Sequence, residues 1–206
     1  MGKLIWTPAT LLAPVPPVLV TCGTLEHPNV LTVAWTGIIN SEPAMTYVSI
    51  RPSRYSHGLI KESGEFVINL TSKAMVAACD YCGVRSGAKE DKIANSGLTV
   101  MPADKVSAPI ISKSPLSIEC KVTQVISLGS HDMFLAEIVA VDVDEQYVNR
   151  DGKLRLDKAE LVAYAHGAYY ELGKQLGTFG FSVCKKPQRS TTPKTPSAAK
   201  AKRKKK

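Results

Sequence analysis

The sequence has no apolar run long enough to cross a membrane, and its N-terminal segment does not resemble a leader. Its apolar stretches fall short of the ~18–20 residues that span a bilayer. Four prolines interrupt the first 17 residues, whereas a signal peptide needs an unbroken apolar stretch followed by small residues. We therefore expect a cytoplasmic protein that does not enter a membrane.

Several catalytic and cofactor motifs are also missing. No Gly-x-Gly-x-x-Gly sequence joins a predicted strand to a helix, which argues against a dinucleotide-binding Rossmann domain. Gly-x-Ser-x-Gly is absent as well, so hydrolase catalysis has little support. Cys79 and Cys82 form a Cys-x-x-Cys pair, but no second pair of ligands lies at the spacing of a zinc site. We expect no bound metal.

The five cysteines are an odd number, and without a secretion signal we expect them to be reduced thiols. The Cys79–Cys82 pair lies near the end of a predicted helix, Ser72–Tyr81, where the helix dipole disfavours a thiolate. Buried structural cysteines are therefore the favoured interpretation. A redox-active dithiol stays open as the alternative.

Positive charge is concentrated at the C-terminal end. The 206 residues carry a formal net charge of +8, but ten of the 26 Lys and Arg lie in residues 185–206, which contain no acid. Residues 1–184 contain the other 16 basic residues and 18 acidic ones, so their formal net charge is about −2. Residues 185–206 are rich in Lys, Pro, Ser and Thr, which predicts a disordered tail. Nucleic-acid binding is therefore expected only as non-specific contact through this tail.

Strand-like runs dominate the rest of the chain. β-Branched, aromatic and apolar residues recur in runs that are bounded by turn residues. The predicted strands are Pro17–Thr24, Asn29–Thr36, Met45–Arg51, Glu65–Leu70, Leu116–Leu128 and His131–Glu145, and the predicted helices are Ser53–Lys61, Ser72–Tyr81 and Lys89–Asn95. Only Gly129-Ser130 separates the last two strands, which predicts a long hairpin. Six or seven strands with few short helices predict a mostly β fold, a closed or split antiparallel β-barrel.

The segment after the third predicted strand has the composition of a phosphate site. Ile50 is followed by Arg51-Pro52-Ser53-Arg54-Tyr55-Ser56-His57 at the predicted start of a helix. Hydroxyls, a guanidinium and free backbone N–H groups at a helix N-terminus bind phosphomonoesters, and Ser53 is predicted to be the N-cap. The alternative is that Ser53 only caps the helix and that both arginines are solvated surface charges.

A series of short motifs runs through the chain in a fixed order. The motifs are Trp35-Thr36-Gly37, Asn40-Ser41, Pro43, Ser49–Ser56, Glu65–Leu70, Cys82-Gly83, Ser86-Gly87, Asp91-Lys92-Ile93, Gly97-Leu98-Thr99, Gly129–Phe134 and Tyr169–Gly173. In this order they resemble the flavin reductase-like family of FMN-binding split barrels, and most of all its flavoredoxin branch. The resemblance spans roughly residues 10–184. It implies a split-barrel domain over residues 1–184 and FMN as the cofactor.

The resemblance also implies roles for particular residues, all of them in cofactor binding and none catalytic. Asn29 and Trp35 would approach the isoalloxazine ring, and the backbone of Thr36, Gly37, Ile38 and Asn40 would hydrogen-bond its pyrimidine edge. Ser49 and Ile50 lead into the phosphate loop, where Arg51, Ser53 and Ser56 would hold the ribityl phosphate and Lys92 would add a positive charge. His131 and Tyr164 would approach the cofactor from their own or the partner subunit.

Two activities are compatible with such a site. One is an NAD(P)H:flavin oxidoreductase, and the other is a flavoredoxin-like carrier whose tightly bound FMN exchanges electrons with a small redox protein. A third interpretation, from another class, is a binding module whose basic tail targets nucleic acid. The resemblance further implies a homodimer that builds its flavin cleft at the two-fold interface.

Overall fold

The computed structural model describes residues 1–184, so the predicted tail, 185–206, lies outside the described residues. The chain divides into two units, Met1–Leu172 and Gly173–Lys206. The helices and strands described below all belong to the first unit. In residues 173–184, the described part of the second unit, the chain forms turns but no helix or strand.

Strands and short helices make up the first unit. The strands are β1 (Val18–Gly23), β2 (Pro28–Val33), β3 (Thr36–Ser41), β4 (Ala44–Ile50), β5 (Glu65–Leu70), β6 (Val100–Met101), β7 (Ile110–Ile111), β8 (Leu116–Ser127), β9 (Asp132–Val143), β10 (Val162–Ala165) and β11 (Ala168–Glu171). The helices are α1 (Tyr55–Ser63), α2 (Val76–Val84) and α3 (Lys92–Asn95), and 3-10 turns cover Lys73–Met75, Glu145–Tyr147 and Leu156–Lys158. The predicted mostly β fold with short helices is confirmed.

Seven strands form one antiparallel sheet whose order differs from their order in the chain. The order is β2-β1-β5-β8-β9-β4-β3, and β10–β11 and β6–β7 form separate two-stranded sheets. The predicted long hairpin is the central pair β8–β9, in which Leu116 pairs with Val143 and Ser127 pairs with Asp132. Leu128 N donates to His131 O (2.9 Å), so these two residues flank the predicted turn residues Gly129 and Ser130. β2 and β3, which are consecutive in the chain, form the two edges.

The β1 strand is buried on both faces, so it separates two parts of the core. Successive side chains of a strand point to opposite faces. Val18 and Val20 therefore pack into the cluster that contains Phe66 and Phe134. Leu19 packs into the other cluster, which is formed largely by α2, α3 and their neighbours. These two clusters fix the sheet and the helices that surround the candidate site.

The predicted strand Asn29–Thr36 is wrong at its C-terminal end. β2 stops at Val33, and a new strand, β3, starts at Thr36. The carbonyl of Trp35 accepts a hydrogen bond from Ser49 N (2.9 Å), so the chain leaves β1 here and begins to pair with β4. The residue types around Trp35 favour a strand on both sides of the break. The break therefore arises from the pairing of β3 with β4, which the local sequence does not show.

Ser53 is not the N-cap of α1, which corrects the sequence prediction. The backbone N–H of Arg54 donates to Arg51 O (2.9 Å), so Pro52 and Ser53 are the central residues of a turn. The N-cap is Arg54, whose extended backbone places the helix start at Tyr55, and no side chain caps it. The helix ends at Gly64, which takes the left-handed conformation (φ 68°) that glycine adopts without strain.

The other two helices also differ from their predicted bounds. α2 runs one turn beyond Tyr81, because Cys82-Gly83-Val84 continues the helix and Arg85 N still donates to Tyr81 O. α3 begins only at Lys92, since the Asp91 carboxylate accepts from Ile93 N and Ala94 N (both 3.0 Å) and fixes the start. Over residues 1–184, no helix has the length and apolar character that crossing a bilayer requires.

Candidate ligand-binding site

The largest of the cavities described here lies beside the break between β2 and β3. Its volume is about 390 Å³. The ring of Trp35, which is 42% exposed, forms one wall and stacks on the ring of His131 with 4.5 Å between centroids and 36° between planes. Six predicted site residues line this cavity: Trp35, Ser49, Ile50, Arg51, His131 and Tyr164. The walls thus combine flat aromatic surface with hydroxyl and guanidinium groups.

The imidazole of His131 lies at the edge of this cavity with a cationic neighbour. Burial lowers the pKa of His131, and the positive charge of Arg51 lowers it further. The ring is therefore neutral near pH 7. Its Nδ1 atom lies 2.9 Å from Ser130 Oγ, so a neutral imidazole and a permanent cation face the same space.

A second cavity of about 310 Å³ adjoins the first, because Leu31, Arg51 and Arg54 line both. We call it the cationic cavity. Its walls carry four basic side chains, Arg51, Arg54, Arg85 and Lys92, together with the hydroxyls of Ser53, Ser56 and Ser86. Such a set of donors matches the several acceptor oxygens of a phosphate.

Lys92 is the buried member of this set, with only 5% of the residue exposed. Its Nζ donates to the carbonyl of Cys82 (3.1 Å), which leaves further N–H donors of the ammonium for a ligand. Burial lowers the pKa of Lys92, and the Arg54 charge acts in the same direction. Lys92 thus adds a buried ammonium group to the wall of the cationic cavity.

Local backbone geometry places the hydroxyls and N–H groups of the predicted phosphate loop on one side of the cationic cavity. The Arg51–Arg54 turn leads directly into α1. The first N–H groups of a helix have no partner within the helix, and the helix dipole makes them favourable for an anion. Ser56, in the first turn of α1, is buried and accepts from Asn29 Nδ2 (2.6 Å). Asn29 therefore supports this wall from behind.

Gly87 forms part of the opposite wall. A Cβ atom at this position would overlap Asn29 Oδ1 and would lie 3.2 Å from Tyr55 Cδ1. Only glycine allows the 85–87 segment to approach α1 this closely. The cavity thus depends on a residue without a side chain at its narrowest point.

A buried hydrogen bond between two side chains ties α1 to the β8–β9 hairpin. His57 Nε2 lies 2.8 Å from Asp132 Oδ2, and Asp132 Oδ1 accepts from Ser127 Oγ (2.6 Å). Hydrogen bonds from Ser127 and His57 lower the pKa of Asp132. Because Asp132 follows His131 in the chain, this pair fixes the aromatic wall of the large cavity relative to the phosphate loop.

The structure does not bring every predicted residue to these cavities. Ten predicted residues do lie there or directly behind: Asn29, Trp35, Ser49, Ile50, Arg51, Ser53, Ser56, Lys92, His131 and Tyr164. The other four, Thr36, Gly37, Ile38 and Asn40, lie on β3 and line none of the cavities described here. Thr36 Oγ1 donates to Tyr47 O (2.5 Å), and Asn40 Nδ2 donates to the carbonyl of Pro43 (3.1 Å).

Several lining residues were absent from the predicted set. Arg54 and Arg85 line the cationic cavity, and Asp80 and Tyr169 line the large one. Tyr169 donates to Asp80 Oδ1 (3.3 Å) and packs edge-on against Tyr164. Arg54 was within the recognised phosphate loop and could have been found there. Asp80 lies on α2 and Arg85 directly follows it. Only the packing of α2 against β2 brings these two residues to the site.

The two cysteines of the Cys-x-x-Cys pair are buried in α2. Burial raises the pKa of Cys79 and the pKa of Cys82. Thiols in this state are poor nucleophiles, which supports the structural interpretation of the pair over the redox one.

A family model described as flavin reductase-like domain matches residues 11–173. The chain belongs to the flavin reductase-like family. The structure of a flavoredoxin of Desulfovibrio vulgaris is similar, with a TM-score of 0.82 and 35% identity over 89% of this chain and all of that one. A flavoredoxin from Methanosarcina acetivorans has a TM-score of 0.79 and 28% identity over the same shares of the two chains. The resemblance found in the sequence is confirmed.

The chain is also similar to a protein with a named activity. The FMN reductase (NADH) RutF of Pseudomonas syringae is 23% identical over 103 residues, which are 50% of this chain and 56% of that protein. The structure of a Shewanella frigidimarina protein with a split-barrel domain has a TM-score of 0.71 at 23% identity, covering 80% of this chain and 85% of that one. The predicted split-barrel fold is thereby confirmed.

Proposed function

We propose that the chain binds FMN and acts as an NAD(P)H:flavin oxidoreductase. The observation that carries this proposal is the pair of adjoining cavities, one with aromatic walls and one with four basic side chains. A planar ring joined to a phosphate is the ligand that such a pair fits. The family membership supports the same ligand, since flavoredoxins and an FMN reductase are among the relatives.

In this proposal the isoalloxazine ring lies in the large cavity beside Trp35 and His131. The phosphate lies in the cationic cavity, held by Arg51, Lys92 and the hydroxyls of the loop. Bound FMN supplies hydride and electron transfer, which no side chain of the protein can perform. Arg51 and the neutral His131 set the charge around the ring, and the Trp35 ring keeps water from one side of it.

We propose β3 as the strand that approaches the pyrimidine edge of the flavin through the backbone of residues 36–40. These residues line none of the described cavities of one protomer. A second copy of the chain would build the missing wall, which agrees with the proposed homodimer. Support for an interface here comes from the exposed edge of β3, where Ile38 is 71% exposed and Ile39 is 46% exposed. Edge strands with exposed apolar side chains readily meet a partner.

A flavoredoxin-like electron carrier is the second candidate function. The similarity to the Desulfovibrio vulgaris flavoredoxin, at 35% identity and full coverage of that chain, favours it. In this case FMN stays bound, and a small redox protein, rather than NAD(P)H, supplies the electrons. Both candidates place the protein in the cytoplasm, where NAD(P)H and reduced redox proteins are available.

The visible spectrum of the purified protein tests both candidates. Protein that has been mixed with excess FMN and desalted is expected to stay yellow, and it is then titrated without oxygen. Bleaching by NADH or NADPH supports the oxidoreductase. A spectrum that ignores both but is bleached by a reduced ferredoxin supports the carrier. Colourless protein with no calorimetric affinity for FMN would disprove the proposed site.

A further inference from the structure

The strands β10 and β11 form a hairpin of their own beside the large cavity. Within residues 1–184 they pair with each other and with none of the seven strands of the main sheet. We call this hairpin, residues 162–171, the flap. Both residues of its turn, His166 and Gly167, are in the left-handed conformation (φ 49° and 83°), which is typical of the tightest hairpin turns. A hairpin with so short a turn moves as one body.

The flap presents two aromatic rings to the large cavity. Tyr164 and Tyr169 are opposite each other on the two strands, so their side chains lie on the same face of the hairpin. Their ring centroids are 5.2 Å apart, and both rings line the large cavity. A ligand in this cavity therefore lies against the flap.

The base of the flap is fixed to the rest of the fold. Val162 is buried, and its N–H donates to the carbonyl of Thr71 (3.3 Å). Shortly before it, Glu160 O accepts from Lys73 N (2.8 Å). Glu171, which pairs with Val162 across the hairpin, also forms an exposed salt bridge with Lys73 (2.5 Å between Nζ and Oε1). The flap is thus attached at the end that is remote from its turn.

Three hydrogen bonds hold the middle of the flap. Val15 N donates to Tyr164 O (2.9 Å), and Tyr164 N donates to Val15 O (2.8 Å). The third runs from the Tyr169 hydroxyl to Asp80 Oδ1 on α2 (3.3 Å). Because Tyr169 and Asp80 both line the large cavity, this third bond connects the flap to the helix beside the same cavity.

The Tyr169–Asp80 hydrogen bond can open at low cost. Burial raises the pKa of Tyr169, so its hydroxyl keeps the proton and stays a donor at neutral pH. The acceptor, Asp80, is exposed, and water can therefore replace the hydroxyl at this carboxylate. The Tyr169 ring packs against the apolar cluster that contains Leu19, which keeps the closed position favoured.

We propose that the flap opens by turning about its base, that the Tyr169–Asp80 hydrogen bond is its latch, and that this opening governs the rate at which ligand enters and leaves the large cavity. Asp80 is then a positioning residue that acts through Tyr169. The inference rests on the FMN site proposed above and adds a control of FMN exchange to it. A flap that opens slowly keeps FMN bound through many reactions, whereas one that opens fast lets FMN leave as a product.

Amide hydrogen exchange of the FMN-free protein tests the latch without any ligand. Tyr169→Phe removes the donor and keeps the ring, and Asp80→Ala removes the acceptor. Each variant is expected to accelerate exchange of the Val15 and Tyr164 amides about two- to tenfold, the factor that one ordinary hydrogen bond contributes. The double variant should exchange no faster than either single variant, because both changes remove the same bond.

Tyr170→Phe is the matched control for these variants. Tyr170 follows Tyr169 in the same strand, its side chain is largely exposed, and it lines neither the large cavity nor the cationic one. Loss of its hydroxyl is expected to leave the exchange rates of the parent protein unchanged.

Stopped-flow fluorescence of FMN tests the control of ligand exchange. In Tyr169→Phe the association and dissociation rate constants should both rise about two- to tenfold, since the latch is lost from the free and the FMN-bound protein alike. Kd, their ratio, should then stay as in the parent protein. A residue that forms only part of the cavity wall would change Kd through the dissociation rate constant alone.

Unchanged exchange of the Val15 and Tyr164 amides in both single variants overturns the latch. Faster exchange with unchanged FMN rate constants, or with a change in Kd alone, overturns the control of ligand exchange. Protein that binds no FMN refutes the proposed flavin site, and the exchange measurement then still decides whether the flap is latched.

Discussion

Arg51 lies where the two adjoining cavities meet, and it is the residue whose loss should affect the ligand most directly. We expect Arg51→Ala to weaken FMN binding about 10- to 100-fold, because a hydrogen bond between two charged groups contributes about 1.5–3 kcal/mol. Fluorescence titration of FMN measures the change. Arg155→Ala is the matched control, since Arg155 pairs with Asp157 on the surface. Equal affinities of the two variants would contradict the assigned phosphate site.

His131 is a second residue with a measurable property. Because burial and then Arg51 lower the pKa of His131, we expect its ring to titrate below the ordinary value of about 6.5. NMR of the imidazole protons measures this pKa in the FMN-free protein. In Arg51→Ala the pKa is expected to rise, and the mutation should leave the stacking against Trp35 intact. A pKa at or above the ordinary value in the unmutated protein would contradict this arrangement.

At the residue scale, the site residues that lie in one continuous segment could be predicted from the sequence. Arg51, Ser53 and Ser56 lie within a few residues of each other, so a phosphate loop was recognisable from composition. Arg85 comes from a different element, and nothing local marks it as a ligand. Ser53 was assigned the wrong local role, because the hydrogen bond between Arg54 N and Arg51 O depends on the chain path after β4.

At the element scale, the His57–Asp132 pair holds α1 against the β8–β9 hairpin. We expect Asp132→Ala to accelerate amide hydrogen exchange in α1 and to lower the melting temperature, because His57 stays buried without its partner. FMN affinity should fall as well, since the phosphate loop is no longer fixed. Ser127→Ala removes only one of the two hydrogen bonds to Asp132 and should have a smaller effect. Unchanged exchange in α1 would show that the pair does not position the helix.

Two neighbouring carboxyl groups, one on β8 and one on β9, should make the stability of the protein depend on pH. Glu119 on β8 accepts from the backbone N–H groups of Asp104 (2.8 Å), Lys105 (2.6 Å) and Val106 (3.1 Å). Asp142 on β9 lies beside this carboxylate. Burial, followed by the Glu119 carboxylate, raises the pKa of Asp142 to about 6. Ionisation of Asp142 is therefore less favourable in the folded protein than in the unfolded one. The free energy of unfolding should consequently fall as the pH rises from about 4 through 6.

Asp142→Asn removes this ionisation and keeps a donor toward Glu119. We expect the variant to be more stable than the parent at pH 8 by about 1–2 kcal/mol, after allowing for solvent screening at this partly exposed carboxyl. At pH 4, where Asp142 is largely protonated, the two proteins should unfold at similar temperatures. Thermal unfolding at both pH values checks the difference. A gain at pH 4 as large as that at pH 8 would contradict the raised pKa.

The elements themselves were predictable where their pattern is local. β5 and the β8–β9 hairpin follow from alternation and turn residues, and their bounds agree with the structure within a few residues. The break at Trp35 and the start of β3 did not follow, because the residues there favour strand on both sides. Tertiary pairing with β4 alone decides where β2 ends.

At the scale of the whole molecule, charge is distributed unevenly between residues 1–184 and 185–206. Deletion of 185–206 removes ten basic residues and leaves a formal charge of about −2. We expect the full chain to be retained on a DNA column at low salt and the shortened chain to pass through, since retention depends on counterion release. FMN binding should be equal in both. Retention of the shortened chain would place a nucleic-acid surface on the barrel itself.

The fold class could be predicted from strand count and helix length, but the sheet order could not. Local patterns do not say that β5 lies between β1 and β8, or that β4 pairs with β9. The family resemblance implied the split barrel but gave no order of its strands. The large cavity is lined by α2, β2 and the β8–β9 turn. These elements meet only because of the order of strands in the sheet, so the cavity could not be predicted from any one segment.

The two-residue link Ala34-Trp35 joins strands that form opposite edges of the seven-stranded sheet. A link this short holds the end of β2 close to the start of β3, and the large cavity lies beside it. A ligand bound there contacts residues of β2 and β4 but none of β3. Its release therefore leaves the pairing of β3 with β4 untouched.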